Sequence, residues 1–314
     1  MIFHDPWTAL VIVLSALLLD RLLGEPFIYH PLVGFGRIAA AVERLLRRES
    51  HSPRRQVVQG ALAVTLLVLP PVLLVVWLDS LVVVSAVTDI ILLYLALGLR
   101  SLQEHGAEVV AALEQSDLPR AREQVGLIVS RNTADMDEPG VVKATVESVL
   151  ENGSDAVIGT LFWFLLFGGA GAVLYRLVNT LDAMWGYKTE HYLHFGRAAA
   201  RLDDWLNWLP ARLTVLLYGL GGRLLEALRA ARRQGREWES PNAGPVMASG
   251  ATALALELGG SAVYGEERRE RPLLGMAGHP PNRADIDRAL RLVRRSVILI
   301  VVLQLLIAGG WTIA

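Results

Sequence analysis

The stretch AVIGTLFWFLLFGGAGAVL, residues 156–174, is apolar enough to enter a bilayer, yet polar blocks crowd both its ends. Before it stands SRNTADMDEPGVVKATVESVLENGSD, residues 130–155. After it come YRLVNTLDAMWGYK and RAAARLDDWLNWLPAR, within 175–212. Leaving such groups in hydrocarbon costs kilocalories each, so membrane proteins keep them where they handle a polar ligand.

The rest of the chain agrees with a membrane setting. It has 314 residues, 53% of them hydrophobic, and a mean hydropathy of +0.40, the profile of an integral membrane protein with sizeable water-facing loops. The net charge of −1 gives no bulk attraction to nucleic acid. Cysteine is absent, which excludes disulfides, thiolate metal sites and a cysteine nucleophile. The sequence also lacks GxxxxGK[ST], GxGxxG and HExxH, so no P-loop, dinucleotide fingerprint or zincin helix is expected.

A span needs roughly 20 apolar residues. Spans are predicted at about 5–23, 57–78, 81–99 and 296–313, in a single membrane-embedded domain covering 1–314. The first apolar run is short, but no basic segment or small-residue cleavage site marks it as a signal peptide, so it reads as an uncleaved anchor. All 30 Lys and Arg fall in 20–56, 100–155, 175–212 and 223–295, with none in the 79–80 turn or at the termini. The positive-inside rule then puts the four basic segments in the cytoplasm and both termini outside. That topology requires 156–174 not to cross alone. Either it is re-entrant or buried in protein, or it spans and 213–222 helps the chain return; we expect a non-crossing or broken element, since GGAGA weakens a helix and irregular backbone at membrane depth is tolerated when protein shields it.

Elsewhere the periodicity is helical. Arg37–Arg48 reads as an amphipathic surface helix with Ile38, Val42, Leu45 and Leu46 on one face. Helices are predicted over 102–113, 118–129 and 284–295, and over the very basic 223–236, expected to lie on anionic lipid. No strand-period pattern stands out, so the predicted fold class is nearly all-α, a polytopic membrane protein with helical loops on its cytoplasmic face.

The polar blocks carry the candidate chemistry. Pro139 starts a helix on which Lys143, Glu147, Glu151 and Asp155 recur every fourth residue, with Asn152 beside them. Arg131 and Asn132 precede it, suited to a phosphate or carboxylate. In the second block Arg176, Asn179 and Asp182 share one helix side, followed by Lys188, Arg201, Asp203, Asp204 and Arg212. Solvated faces and interfacial anchoring account for much of this pattern, but not for Asn179 and Asp182 among apolar neighbours.

These blocks resemble the CobD/CbiB family of cobalamin biosynthesis, the membrane-bound adenosylcobinamide-phosphate synthases. The likeness runs through DRLLGEPFIYHPLVGFGRIAA at 20–40, residues 130–163 and 175–214, SPNAGPVMASG at 240–250, LGG at 258–260 and RPLLG at 271–275. Asn132 and Glu25 stand where the family often has Asp. The resemblance implies a carbon–nitrogen ligase of the cell inner membrane. It would join aminopropanol, or its O-phosphate, to the propionate carboxylate of adenosylcobyric acid, with ATP and Mg²⁺. It implies Glu147, Glu151, Asp155 and Asp182 as catalytic residues, the last three as Mg²⁺ ligands. Arg131, Asn132, Lys143, Asn152, Asn179, Lys188, Asp203, Arg212 and Asn242 would bind substrate or phosphate. On this reading the two blocks are halves of one cytoplasmic-face site. The expected partners are the lipid bilayer, other corrinoid-assembly enzymes and a second copy of the chain. A membrane sensor or accessory protein of a related family, or a small transporter, are the readings from other classes.

Overall fold

The computed structural model describes residues 5–26, 30–48, 50–81, 85–264 and 267–312. Residues 27–29 of the 20–40 motif, 82–84 of the expected third span and 313 of the last lie outside them.

Twelve α-helices are seen among the described residues: α1 (Pro6–Leu23), α2 (Pro31–Leu46), α3 (Pro53–Asp79), α4 (Ser85–Ala96), α5 (Leu99–Glu114), α6 (Leu118–Gly126), α7 (Glu138–Asn152), α8 (Thr160–Trp185), α9 (Arg197–Leu220), α10 (Leu224–Arg233), α11 (Ala243–Leu254) and α12 (Arg283–Trp311). A π-helical stretch, Gly153–Gly159, joins α7 to α8. Proline in the first turn starts α1, α2, α3, α6 and α7, where its missing N–H costs nothing. Side-chain caps complete several of these starts. Asp5 accepts from the Trp7 and Thr8 amides at 3.0 and 3.1 Å, and Asp137 from Gly140 N–H at 2.9 Å.

Five helical runs are long and apolar enough to cross a membrane: 6–23, 53–79, 85–114, 138–185 and 283–311. Their outward surfaces carry bare hydrophobic side chains, such as Leu62, Leu66 and Leu73 on α3 and Val302 and Leu306 on α12. Water would not tolerate so much exposed apolar area, whereas lipid does. The chain is therefore an α-helical polytopic membrane protein. On α2 the expected stripe is only partly right. Phe35 and Ala39 are buried, with Val42 and Leu46 packed against that core, while Ile38 and Leu45 point outward.

The absence of strands expected from periodicity is corrected. Strands β1 (Glu257–Tyr264) and β2 (Glu267–Gly275) form an antiparallel hairpin. Glycines in β1 and the charged run at the start of β2 hide any apolar alternation. A bulge between Gly259 and Gly260, both at positive φ (80° and 73°), shifts the register.

The chain divides into two compact units, 1–98 with 159–207 and 303–314, and 99–158 with 208–302. In the first, α8 packs on α3 and α4, and Val178, Leu181, Trp185 and Phe195 meet Ala63 and Leu67 in the core. In the second, α7 packs on α5, α6 and α11, and α11 on the hairpin.

The apolar run 156–174 is broken, as expected. Phe167 (φ −132°, ψ 17°) and Gly168 (φ 63°, ψ −153°) leave helical geometry at the first glycine of GGAGA. The freed amide of Gly169 donates to Oδ1 of Asp89, a buried carboxylate on α4, at 2.9 Å. A neighbouring helix thus satisfies the broken backbone, as hydrocarbon demands. Asp89→Leu should cost about 1–3 kcal/mol by orphaning that amide. Thermal unfolding in detergent checks this, and an unchanged melting temperature would show the bond to be idle.

Candidate functional site

The two polar blocks build one cluster in each unit. In the unit formed by 99–158 and 208–302, Glu147 of α7 is buried. Its carboxylate receives the Arg131 guanidinium, the two Nη groups of Arg271 at 3.1 and 3.2 Å, and Gly259 N–H at 2.8 Å. The Gly259–Gly260 bulge, available to residues that tolerate positive φ, frees that amide from the ladder. Arg271 also donates to Gly260 O at 3.2 Å and stacks over Trp238, 5.0 Å from the ring centre. Glu147 is therefore fully engaged. It ties α7, the 131 loop and the hairpin together.

One turn on, half-buried Glu151 shares the field of Glu147, Arg131 and Arg271, yet its carboxylate takes no hydrogen bond from any described residue. Lys143, one turn before Glu147, lies beside Gly260; among the described residues its ammonium also forms no hydrogen bond or ion pair. One acid and one cation thus flank a core in which two guanidinium groups share a single carboxylate. Asn152 is spent on Ser148, donating to its O and Oγ at 3.0 Å each. Asp155 falls in the π-helical stretch that follows α7. It is the charged neighbour of Tyr218. The Tyr218 hydroxyl donates to Leu150 O at 2.8 Å, and burial keeps it protonated.

Other expected binders are also committed to neighbours. Asn132 accepts from Ala134 N–H at 2.9 Å, an Asx turn that Asp makes equally well. Arg212 and Asn242, far apart in sequence, meet: Nη1 donates to Asn242 Oδ1 at 2.6 Å and Nη2 to Pro241 O at 3.2 Å.

In the other unit, Asp203 of α9 is buried and accepts from Asn179 of α8 at 3.3 Å and Asn207 at 2.9 Å. Arg176 donates to Asn179 at 3.2 Å, and the Tyr175 hydroxyl to Asn207 at 2.6 Å. Burial pushes the Asp203 carboxyl up to about 6, with the two carboxamides opposing and Asp204 adding to the rise. The folded state therefore holds a proton that the unfolded chain has released between the ordinary carboxylate range and that value. Stability should fall as pH rises through about 6 and the charge is forced into the interior. Melting temperature against pH checks the sign: wild type should lose stability across that window, and Asp203→Asn should flatten the loss.

Beside this network a cleft of about 400 Å³ is lined by Trp185, Tyr187, Lys188, His194, Arg201 and Asp204, among others. Lys188 lies in the field of Asp204. Asp182 stands at the end of α8, where its backbone oxygen caps Gly186 N–H at 2.6 Å and its charge reaches Tyr187. Glu43 of α2 anchors the loop that forms the cleft: it accepts from Trp185 Nε1 at 2.9 Å and pairs with His191 Nε2 at 3.1 Å.

No three of the described His, Asp or Glu side chains are grouped as a ready metal cage. A Mg²⁺ held by one or two carboxylates and by a ligand's phosphates needs no such cage, and the unbonded Glu151 fits that lesser requirement.

Sequence reasoning missed Arg271, Gly259, Glu43, Asn207 and Tyr175 as site-building residues. Arg271 and Gly259 lay in quoted motifs, but nothing in either motif named Glu147 as the partner.

The family model described as CobD/Cbib protein matches residues 13–293. A cobalamin biosynthesis protein CobD of Chromobacterium violaceum is 56% identical over 90% of this chain and 91% of its own length. One of Stutzerimonas stutzeri is 52% identical over 96% and 98%, and one of Mycobacterium tuberculosis 39% over 93% and 94%. No solved structure matches. With a family match across nearly the whole length and relatives above half identity, this chain belongs to the CobD/Cbib family.

Proposed function

We propose that the chain is a membrane enzyme of cobalamin biosynthesis. It forms an amide between aminopropanol, or its O-phosphate, and the propionate carboxylate of adenosylcobyric acid, at the expense of ATP. It belongs in the cell inner membrane with its basic segments toward the cytoplasm. Family membership supports the pathway. The observation that carries the chemistry is the pairing, one helical turn apart, of a fully engaged Glu147 with an unbonded Glu151.

Amide formation from a carboxylate sets three demands. The carboxylate oxygen must first be made a leaving group, which phosphoryl transfer from ATP achieves by forming an acyl phosphate. Cations must meet the phosphoryl charge, and Lys143 is the one left uncommitted beside Glu147. A base must take the amine's proton as nitrogen attacks the acyl carbon and phosphate departs. Glu151 suits that role, held in a polar environment by the Arg131–Glu147–Arg271 assembly. Glu151 would also hold Mg²⁺ during the phosphorylation step, before it is needed as the base, and the ion when bound would supply further neutralisation of phosphoryl charge.

The test is direct. Purified wild-type protein in lipid nanodiscs should convert adenosylcobyric acid and one of the two amines to an amide, read by mass spectrometry, only when ATP and Mg²⁺ are present. Corrinoid binding without any amide would favour a sensor or accessory role. ATP-independent movement of corrinoid across a sealed vesicle would favour a transporter.

A further inference from the structure

Helix α10 carries a feature that this chemistry does not use. Arg229, Arg232, Arg233 and Arg236 line a concavity of about 430 Å³. Their spacing of three, four and seven residues places them on one stripe, continued past the helix end by the 3₁₀ turn Gly235–Glu237. Among the described residues none of the four forms a hydrogen bond or an ion pair, whereas Arg223 at the start of the helix pairs with Glu226 at 3.1 Å. Four guanidinium groups held together without carboxylates repel one another, and a bound anion relieves that repulsion. Arginine's planar fork suits the paired oxygens of a phosphate.

The hydrophobic side chains on the same helix say which phosphate. Ala227 and Ala231 face inward and pack α10 on the body of the protein. Leu225 and Leu228 are left exposed, one turn before Arg229 and Arg232. A free anion needs no exposed leucines beside its site. A helix lying in the membrane interface does, with leucines among the acyl chains and arginines at the headgroups. We propose that α10 and its 3₁₀ extension form a binding site for anionic phospholipid headgroups, independent of the amide-forming site.

The experiment uses delipidated full-length protein in detergent, titrated with short-chain phosphatidylglycerol, with phosphatidylcholine of equal chain length, and with ATP and inorganic pyrophosphate. Binding is read by thermal shift and by native mass spectrometry. Wild type should prefer phosphatidylglycerol. Arg229→Gln/Arg232→Gln/Arg233→Gln should weaken that binding on the order of 100-fold, at roughly fivefold per charge. The corresponding triple Lys variant should keep part of the affinity. Because all three side chains are solvent-facing, the Gln variant should fold, and its unliganded melting temperature verifies this. Equal phosphatidylglycerol binding by wild type and the Gln variant would overturn the proposal. So would tighter binding of ATP or pyrophosphate than of lipid at this stripe, which would mark it as a free-phosphate site. Amide-forming activity is not the readout, so failure here leaves the proposed reaction untouched.

Discussion

Glu147→Ala is expected to lower the stability of the protein by about 3–5 kcal/mol, the cost of leaving buried charge without its partner. Arg131 and Arg271 both point at this carboxylate with side chains about nine-tenths buried, and the Gly259 amide would be orphaned with them. Against a typical total of about 5–15 kcal/mol, the loss is large. The variant should accumulate poorly and unfold at a much lower temperature in detergent. Arg271→Met in that background should cost less than it does in wild type, because one uncompensated charge goes with it. Strict additivity of the two changes would show that the three groups are not coupled, and that Glu147 is not the tie between α7 and the hairpin.

Glu151→Gln has the opposite signature. Its carboxylate takes no hydrogen bond from a described residue, and Gln keeps its shape, so the fold should be indifferent. Activity should fall by about 10²–10⁴-fold, the usual contribution of a positioned proton-transfer group. Corrinoid binding should persist, so the loss falls on kcat rather than on the KM for the corrinoid. Two carboxylates a single turn apart would then differ completely, one in stability and the other in rate. Full amide-forming activity in Glu151→Gln, at an unchanged melting temperature, would remove Glu151 from the chemistry.

The contrast between these residues shows what could be read from the chain. Spacing alone placed Lys143, Glu147 and Glu151 on one helix face, and the structure agrees, because α-helical periodicity is local. It could not rank them, because the ranking depends on partners 124 residues away in the hairpin. That hairpin was itself illegible: paired glycines and a charged run carry no period-two pattern, and its packing on α11 is a contact between distant residues. The start of α7 was legible from Pro139 after the acidic turn, and the break at GGAGA was legible from glycine's weakness as a helix former. The Asp89 carboxylate that makes the break affordable in hydrocarbon lies 80 residues earlier in an apolar run, where it read simply as part of a span. The π-helical stretch Gly153–Gly159, which contains Asp155, was likewise illegible, because no residue type announces it.

The central claim is that ATP activates the corrinoid carboxylate for attack by an amine. Oxygen-18 in that carboxylate tests it most directly, because an acyl phosphate carries a substrate oxygen away when the amide forms. With purified wild-type protein, labelled adenosylcobyric acid, ATP and amine, the account predicts that label appears in the phosphoryl product in step with amide formation. Amide forming with unlabelled phosphoryl product, or forming equally well without ATP, would contradict it.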